Sequence, residues 1–326
     1  MDGSRTNMNE GLGRTLVIAN PVAHSGDGAA AAERVKRFFS SYANATDGFE
    51  LRLTQAPGDG MLMAQESAGF DTVIALGGDG IIHEVANGLM SVTPHQRPAL
   101  AVVPVGSGND FARTIGAATN DPIGALGQIL RGCGRKLDLG HVANDAGESA
   151  YFVQTLSFGL DAAIALDTTD RRAAQTHQKG SGLFATSGVK ILSKVRGEAS
   201  GYPSRVTMDG EKDVRLNSIV FAVQNGPTYG GGFRICPDAD PYDGSLDLCY
   251  NVSVPALPHV LALFALARTG RHVGSRAIAT RRVGHLHIEF LESEPPCQAD
   301  GEPLHGRTYE VEVRPRSLTL IAPSRS

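Results

Sequence analysis

The stretch Asp71-Thr72-Val73-Ile74-Ala75-Leu76-Gly77-Gly78-Asp79-Gly80-Ile81-Ile82-His83-Glu84-Val85-Ala86-Asn87-Gly88-Leu89-Met90 decides the fold. Its first six residues are mostly apolar and include three β-branched side chains, the pattern of a short strand buried on both faces. Ile82, Val85, Ala86 and Leu89 then fall at i, i+3, i+4 and i+7, which predicts a helix over Ile81–Met90. Between them lies a turn of three glycines and one aspartate. A strand that passes through glycines into a helix start is where open α/β sheets hold their ligands.

The same alternation extends to both sides. Thr15–Asn20, Phe49–Thr54 and Leu100–Val105 read as strands, and Ala29–Ser40, Gly60–Ser67 and Asn109–Ile115 as helices. This predicts a parallel sheet covered by helices on both faces. After about residue 135 the texture changes to short alternating runs separated by turn residues. These are Tyr151–Ser157, Ser204–Met208, Ser218–Val223, Leu246–Tyr250, His285–Phe290, Tyr309–Val313 and Leu318–Ile321. They predict an antiparallel sandwich, with helices over Gly182–Arg196 and Ala256–Arg268. The expected organisation is an α/β domain over 1–135 and a β-rich domain over 136–326, with the final strand returning to the first.

Bulk composition narrows the classes. A net charge of −4 gives no basic field for nucleic acid. The four cysteines, Cys133, Cys236, Cys249 and Cys297, form no CxxC pair and read as reduced thiols of a cytoplasmic protein. The most apolar run, Ala256–Ala267, is shorter than the roughly twenty residues of a membrane span. No GxxxxGK[ST] occurs, and no GxGxxG follows the first strand, so neither a P-loop nor a dinucleotide fingerprint is present.

Three glycine-rich turns each follow a predicted strand. In Asn20-Pro21-Val22-Ala23-His24-Ser25-Gly26-Asp27-Gly28 the glycines can serve a phosphate or turn geometry alone. In Gly77-Gly78-Asp79-Gly80 the glycines allow close backbone approach. Asp79 would repel a phosphate directly but suits a bridging Mg²⁺, and it can also cap the helix. In Gly106-Ser107-Gly108-Asn109-Asp110, Ser107 can donate to a phosphate oxygen, and Asn109 or Asp110 can cap the next helix. Further on, Asp209-Gly210-Glu211 and Asp300-Gly301-Glu302 are identical tripeptides with strong hairpin character, and composition does not choose between them. Asp238, Asp240, Asp243 and Asp247 form an acidic cluster that reads equally as a cation site or a solvated loop.

In order along the chain, these pieces resemble the diacylglycerol kinase catalytic family, which also contains sphingosine kinases and bacterial lipid kinases. The resemblance is carried by Asn20-Pro21 with Gly26 and Gly28, by Gly77–Gly80 with Glu84-Val85 and Asn87-Gly88-Leu89, and by Pro104 to Arg113. Asn225, Gly230-Gly231-Gly232, Asp243-Gly244-Ser245-Leu246-Asp247 and Asp300-Gly301-Glu302 complete it. It implies an ATP- and Mg²⁺-dependent lipid kinase with its active site between the two domains. It assigns Glu302 as general base and leaves Asp209-Gly210-Glu211 as a structural hairpin. It matches Asn20, Pro21, Val22, Ala23, His24, Thr54, Gly77, Gly78, Asp79, Gly80, Ile81, Ile82, His83 and Ser107 to nucleotide-binding positions. It also implies a structural Mg²⁺ on the Asp243 carboxylate, with Asp240 and Ser245 giving backbone oxygens.

The chain departs from that pattern where Ile81 replaces a frequent Thr, where Ser107 replaces a Thr, and where His24 replaces a small residue. A lipid acceptor implies transient membrane contact. Phe184, Gly188, Ile191, Leu192 and Val195, with Lys190, Lys194 and Arg196 nearby, read either as a membrane-surface helix or as a core-facing one. The reading admits a homodimer. Its rivals are a kinase of a soluble small molecule, like NAD kinases, and an inactive nucleotide-binding regulator.

Overall fold

The computed structural model describes residues 11–173, 186–187 and 201–323. The expected helix at Gly182–Arg196, with its candidate membrane face, lies almost wholly outside the described residues. The chain divides into two compact units, Met1–Leu137 with Arg316–Ser326, and Asp138–Pro315.

The first unit is built on β1 (Thr15–Ala19), β2 (Phe49–Leu53), β3 (Thr72–Gly77) and β4 (Ala99–Pro104), all parallel and ordered β2-β1-β3-β4. The chain end adds a parallel partner to β4 through Leu320 opposite Leu100. The helices are α1 (Asp27–Ser41), α2 (Asp59–Gln65), α3 (Asp79–Ser91), α4 (Asp110–Ile115) and α5 (Pro122–Leu130). Val17, Ile74, Leu76, Ala101 and Val103 pack with Val35 and Phe39 of α1 and Leu126 of α5 in one core. Ile82, Val85, Ala86 and Leu89, the predicted helical stripe, are all buried. The α2–α3 pair is close because Gly88 abuts the Met61 carbonyl, leaving no room for a side chain. The Glu84 carboxylate of α3 also accepts the Gly58 and Gly60 N–H groups at 3.0 and 2.8 Å, which satisfies donors at the α2 N-terminus.

The second unit is an antiparallel sandwich, as the alternating runs predict. One sheet orders β12 (Ile278–Val283), β11 (Leu246–Asn251), β10 (Val220–Gln224), β7 (Thr155–Gly159), β14 (Cys297–Ala299) and β15 (Glu302–Pro303). The other contains β8 (Tyr202–Met208), β9 (Val214–Ser218) and β13 (His285–Phe290), with the first part of β16 (Thr308–Ala322). Phe158 is the centre of the core between them. Its ring meets those of Tyr309, Phe290 and Phe221 at 4.9, 5.3 and 6.2 Å. Among the described residues, α6 (Leu160–Ala173) and α7 (Leu257–Ala267) attach to this unit. No helix among the described residues is long and apolar enough to cross a membrane.

Two strand expectations change. Tyr309–Val313 and Leu318–Ile321 are parts of one strand, which continues through Pro315 and a left-handed Arg316 (φ 55°). Tyr151–Ser157 is instead two strands, β6 (Ser149–Phe152) and β7, broken at Val153-Gln154. The break has a specific chemical cause, given below. Gly88→Ala should cost about 1–3 kcal/mol through overpacking of α2 on α3. Urea unfolding checks this, with a surface Ala→Gly variant on α1 as the reference.

Candidate active site

In the first unit the three glycine turns converge at the carboxyl ends of β1, β3 and β4. A Cβ on Gly77 (φ 147°) would sit 2.8 Å from Ile81 Cγ2, 3.3 Å from Asn20 Cβ and 3.6 Å from Ala23 Cβ. A Cβ on Gly106 would sit 2.7 Å from Gly78 Cα. The backbones of the second and third turns therefore touch, and glycine is required where they do. Gly28 is required in the same way, because α1 starts directly against the Asn20 carbonyl. Gly80 differs: a Cβ there would meet nothing within 4 Å. The fold itself does not demand this glycine, whereas a ligand lying against the start of α3 would.

Each turn is fixed by its own polar contacts. Asn20 Oδ1 accepts the Val22 N–H at 3.1 Å, and Val22 is 75% exposed. His24 and Ser25 are left-handed (φ 51° and 63°), and His24 Nδ1 lies 2.7 Å from Asp27 Oδ2. Thr54 is buried and donates its N–H to the Ala19 carbonyl at 2.9 Å, beside the first turn. The Gly106 N–H donates to Asn120 Oδ1 at 3.0 Å, and Asn109 (φ 54°) donates through Nδ2 to the Gly106 carbonyl at 2.8 Å. Asp79, in the first turn of α3, accepts the Phe111 N–H at 3.3 Å, so its carboxylate ties the second turn to the third.

The side chains of Ile81, Ile82 and His83 are buried, and the Ile82 N–H is bonded to the Gly78 carbonyl at 3.4 Å. Ile81 packs against Gly60 and Gly77. Its lost hydroxyl therefore falls on an inward-facing position. Pro21 and Ala23 complete the first turn, and Ser107 is half-buried in the third.

In the second unit the two Asp-Gly-Glu tripeptides share one conformation. Asp209 and Gly210 have φ 52° and 72°, and Asp300 and Gly301 have φ 52° and 99°. Two successive positive φ angles are the signature of a tight type I′ hairpin turn. The two carboxylates differ in what they hold. Asp209 Oδ1 accepts the N–H groups of Gly284 and His285 at 2.8 and 2.9 Å. Asp300 accepts three successive N–H groups, from Val153 at 2.7 Å, Gln154 at 3.0 Å and Thr155 at 2.9 Å. Those donors are lost to any strand ladder, which is why the chain breaks between β6 and β7. Gln298, fully buried, holds Gly301 N–H with its Oε1 at 2.6 Å and donates to Ser157 Oγ at 2.8 Å. Glu302 follows this anchored turn, and its side chain is exposed.

The acidic loop is closed on itself. Asp243 Oδ1 accepts the Ser245 N–H at 3.0 Å, its Oδ2 meets the Arg282 guanidinium, and the Asp240 carbonyl accepts the Asp243 N–H at 3.3 Å. Burial, followed by the nearby Asp238 charge, pushes Asp247 up to about 6. Among the described residues no group of three or more His, Cys, Asp or Glu is placed to hold a metal ion. The Asp243 carboxylate faces the Arg282 guanidinium, while Asp240 Oδ1 and Asp247 Oδ2 are buried in the same loop with no hydrogen-bond partner among the described residues.

Sequence patterns missed an apolar cavity of about 80 Å³ in the second unit, lined by Leu160, Ile164, Phe233, Val260, Leu263 and Phe264 among others. Asp161 also lines it, on the first turn of α6. The Tyr229 hydroxyl donates to Asp161 Oδ2 at 3.0 Å, while Oδ1 is buried with no hydrogen-bond partner. Burial pushes the Asp161 carboxyl up to about 7, against the opposing Tyr229 hydrogen bond. No sequence motif singles out Asp161, because its burial depends on tertiary contacts.

A parallel sheet with three glycine turns at its carboxyl edge, joined in one chain to an antiparallel sandwich, is a fold that this chain shares with known kinases. The description "Diacylglycerol kinase catalytic domain" matches residues 14–142, and "YegS C-terminal NAD kinase beta sandwich-like domain" matches residues 154–322. A Chromohalobacter salexigens protein named "Probable lipid kinase YegS-like" is 31% identical over 85% of this chain and 84% of its own. A Mycobacterium tuberculosis protein named "Diacylglycerol kinase" is 29% identical over 81% of this chain and 80% of its own. Among solved structures, a diacylglycerol kinase from Bacillus anthracis superposes with a TM-score of 0.69 at 22% identity, over 95% of this chain and 97% of that one. An Archaeoglobus fulgidus NAD kinase in complex with ATP superposes at 0.52 and 13% identity, over 95% and 94%. Both structures share the fold. The chain belongs to the diacylglycerol kinase catalytic family.

A pH prediction follows from Asp161. Its folded pKa of about 7 lies above the usual unfolded value of about 3.9, so the folded state holds the proton longer. Its contribution is full below about pH 4 and is lost as pH rises to about 7, by up to about 4 kcal/mol. Asp161→Asn should keep the Tyr229 hydrogen bond and flatten that part of the stability–pH curve, measured by urea unfolding at each pH.

Proposed function

We propose that the protein transfers the γ-phosphoryl group of ATP to the hydroxyl of a lipid, with diacylglycerol or a related lipid as acceptor. One observation carries the lipid half of this reading. The apolar cavity and the Glu302 turn border the same helix. Asp161 and Leu160 of α6 line the cavity, and Thr169 Oγ1 lies 3.5 Å from the position of a Cβ on Gly301. Asp161 and Thr169 are eight positions apart on the helix, about 12 Å along the axis. A hydrocarbon chain in the cavity and a hydroxyl presented near Glu302 are compatible with one acceptor.

Phosphoryl transfer needs positioning and charge neutralisation more than covalent chemistry. The backbone N–H groups at the start of α3 and along the first and third turns favour phosphate oxygens. Gly80 leaves the space for their approach. Mg²⁺ enters with the nucleotide as the MgATP substrate and neutralises its phosphates. Asp79, whose carboxylate accepts the Phe111 N–H, would orient that complex. Glu302 accepts the proton of the attacking hydroxyl, and Asp300 holds Glu302 in place by fixing the turn through three amides.

The test is a labelled-ATP assay on detergent-dispersed diacylglycerol, long-chain bases and NAD. Transfer to a lipid alcohol supports the reading, and transfer to NAD alone would sink it. Glu302→Gln should lower kcat by about 10²–10⁴-fold while ATP affinity changes little. Asp79→Asn should instead weaken MgATP binding as well as turnover. Equilibrium binding of a fluorescent ATP analogue, run beside the turnover assay, separates the two.

A further inference from the structure

The segment Leu248–Ile288 contains five arginines and no Asp, Glu or Lys, in a chain whose net charge is −4. It includes α7, Leu-Pro-His-Val-Leu-Ala-Leu-Phe-Ala-Leu-Ala over Leu257–Ala267, which carries no acidic or basic side chain apart from His259. One face of α7 is accounted for: Val260, Leu263, Phe264 and Ala267 line the cavity. The opposite face is apolar too. Leu261 and Leu266 are 44% and 40% exposed, with Ala262 and Ala265 exposed beside them, and Val252 before the helix is 56% exposed. A single exposed leucine needs no explanation, but a helix apolar on both faces has normally a second apolar surface against it.

Arginines lie near both ends of α7. The Arg234 N–H donates to the Ala267 carbonyl at 2.9 Å, which puts Arg234 at the carboxyl end of α7. Arg268 follows directly, with its guanidinium 5.6 Å from the centre of the Phe233 ring, and Arg271 is exposed three residues later. The Val252 N–H donates to the Ala277 carbonyl at 2.9 Å, so exposed Arg276 flanks the apolar face near the start of α7. Arg281 and Arg282 pair with Glu211 and Asp243; Arg234, Arg268, Arg271 and Arg276 form no ion pair among the described residues.

We infer that the outer face of α7 docks on an anionic phospholipid surface, with Leu261, Leu266 and Val252 entering the interface and Arg234, Arg268, Arg271 and Arg276 meeting lipid phosphates. Apolar side chains bordered by unpaired arginines are the chemistry of interfacial helices. A second copy of the chain fits less well, because a two-fold contact would set this cluster of arginines against its own image. Docking itself does not depend on the kinase reading. Its consequence does: the surface would lie on the other side of α7 from the cavity, one helix away from an acceptor's chain.

The test is co-sedimentation without nucleotide, using phosphatidylcholine vesicles with and without about a third phosphatidylglycerol. Wild type should bind the anionic vesicles and be released by high salt. Each arginine near such a surface is worth roughly fivefold in binding. Arg268→Glu with Arg271→Glu and Arg276→Glu should therefore lose about a hundredfold or more, and Leu261→Asp with Leu266→Asp about tenfold or more. Melting curves matching wild type show that the variants fold. Failure of wild type to bind, or equal binding by folded variants, overturns the inference. So does a wild-type dimer, seen by light scattering, that the variants abolish while vesicle binding is absent. Turnover on detergent-dispersed acceptor should be unchanged in both variants. Vesicle binding with no turnover on any lipid would defeat the proposed function and leave the docking surface standing.

Discussion

The carboxylate of Asp300 takes three consecutive backbone N–H groups, and much of the second unit's candidate chemistry depends on that bond set. It terminates one strand and starts the next. It fixes a turn in which two successive residues have positive φ, and it leaves Glu302 on a short strand paired to β14. A carboxylate accepting several amides is stabilised by charge-assisted bonds that are each stronger than neutral ones. Glu302 is thus exposed on a rigid base, the arrangement expected of a group that must meet a substrate in one orientation.

The first unit solves a parallel problem without charge. Its three turns are brought together by the absence of side chains. Gly77, Gly106 and Gly28 let backbone approach backbone, and the N–H groups of three separate strand ends come to one edge of the sheet. Such a surface offers donors to an anion and pays little to hold them, because the sheet behind it is packed with buried Val, Ile and Leu. A Cβ on Gly80 would meet nothing within 4 Å, so the protein's own packing does not explain this glycine.

The fold class was legible because its signals are local. Ile82, Val85, Ala86 and Leu89 mark their helix by spacing, and the strands of the first unit are short apolar runs between glycines. The sandwich was legible from alternation, but its joints were not. The break at Val153-Gln154 is caused by a residue some 145 positions later, and no local window contains it. Pro315 and Arg316 looked like the end of a strand, yet β16 runs through them. The glycine turns could be named as a site from their order along the chain. Asp161 could not, because its unusual environment is made by Tyr229 and by α7, both distant in sequence. Arg282 was invisible for the same reason: its place beside Asp243 comes from the pairing of β11 with β12.

The central claim is that nucleotide phosphates lie on the convergent glycine turns of the first unit. Amide hydrogen exchange with and without a non-hydrolysable MgATP analogue tests it most directly. The account predicts slowed exchange at Val22–His24, Gly78–Ile81 and Ser107, with little change over the Asp209-Gly210-Glu211 hairpin. Unchanged exchange at all three turns, at analogue concentrations where binding is saturated, would contradict it.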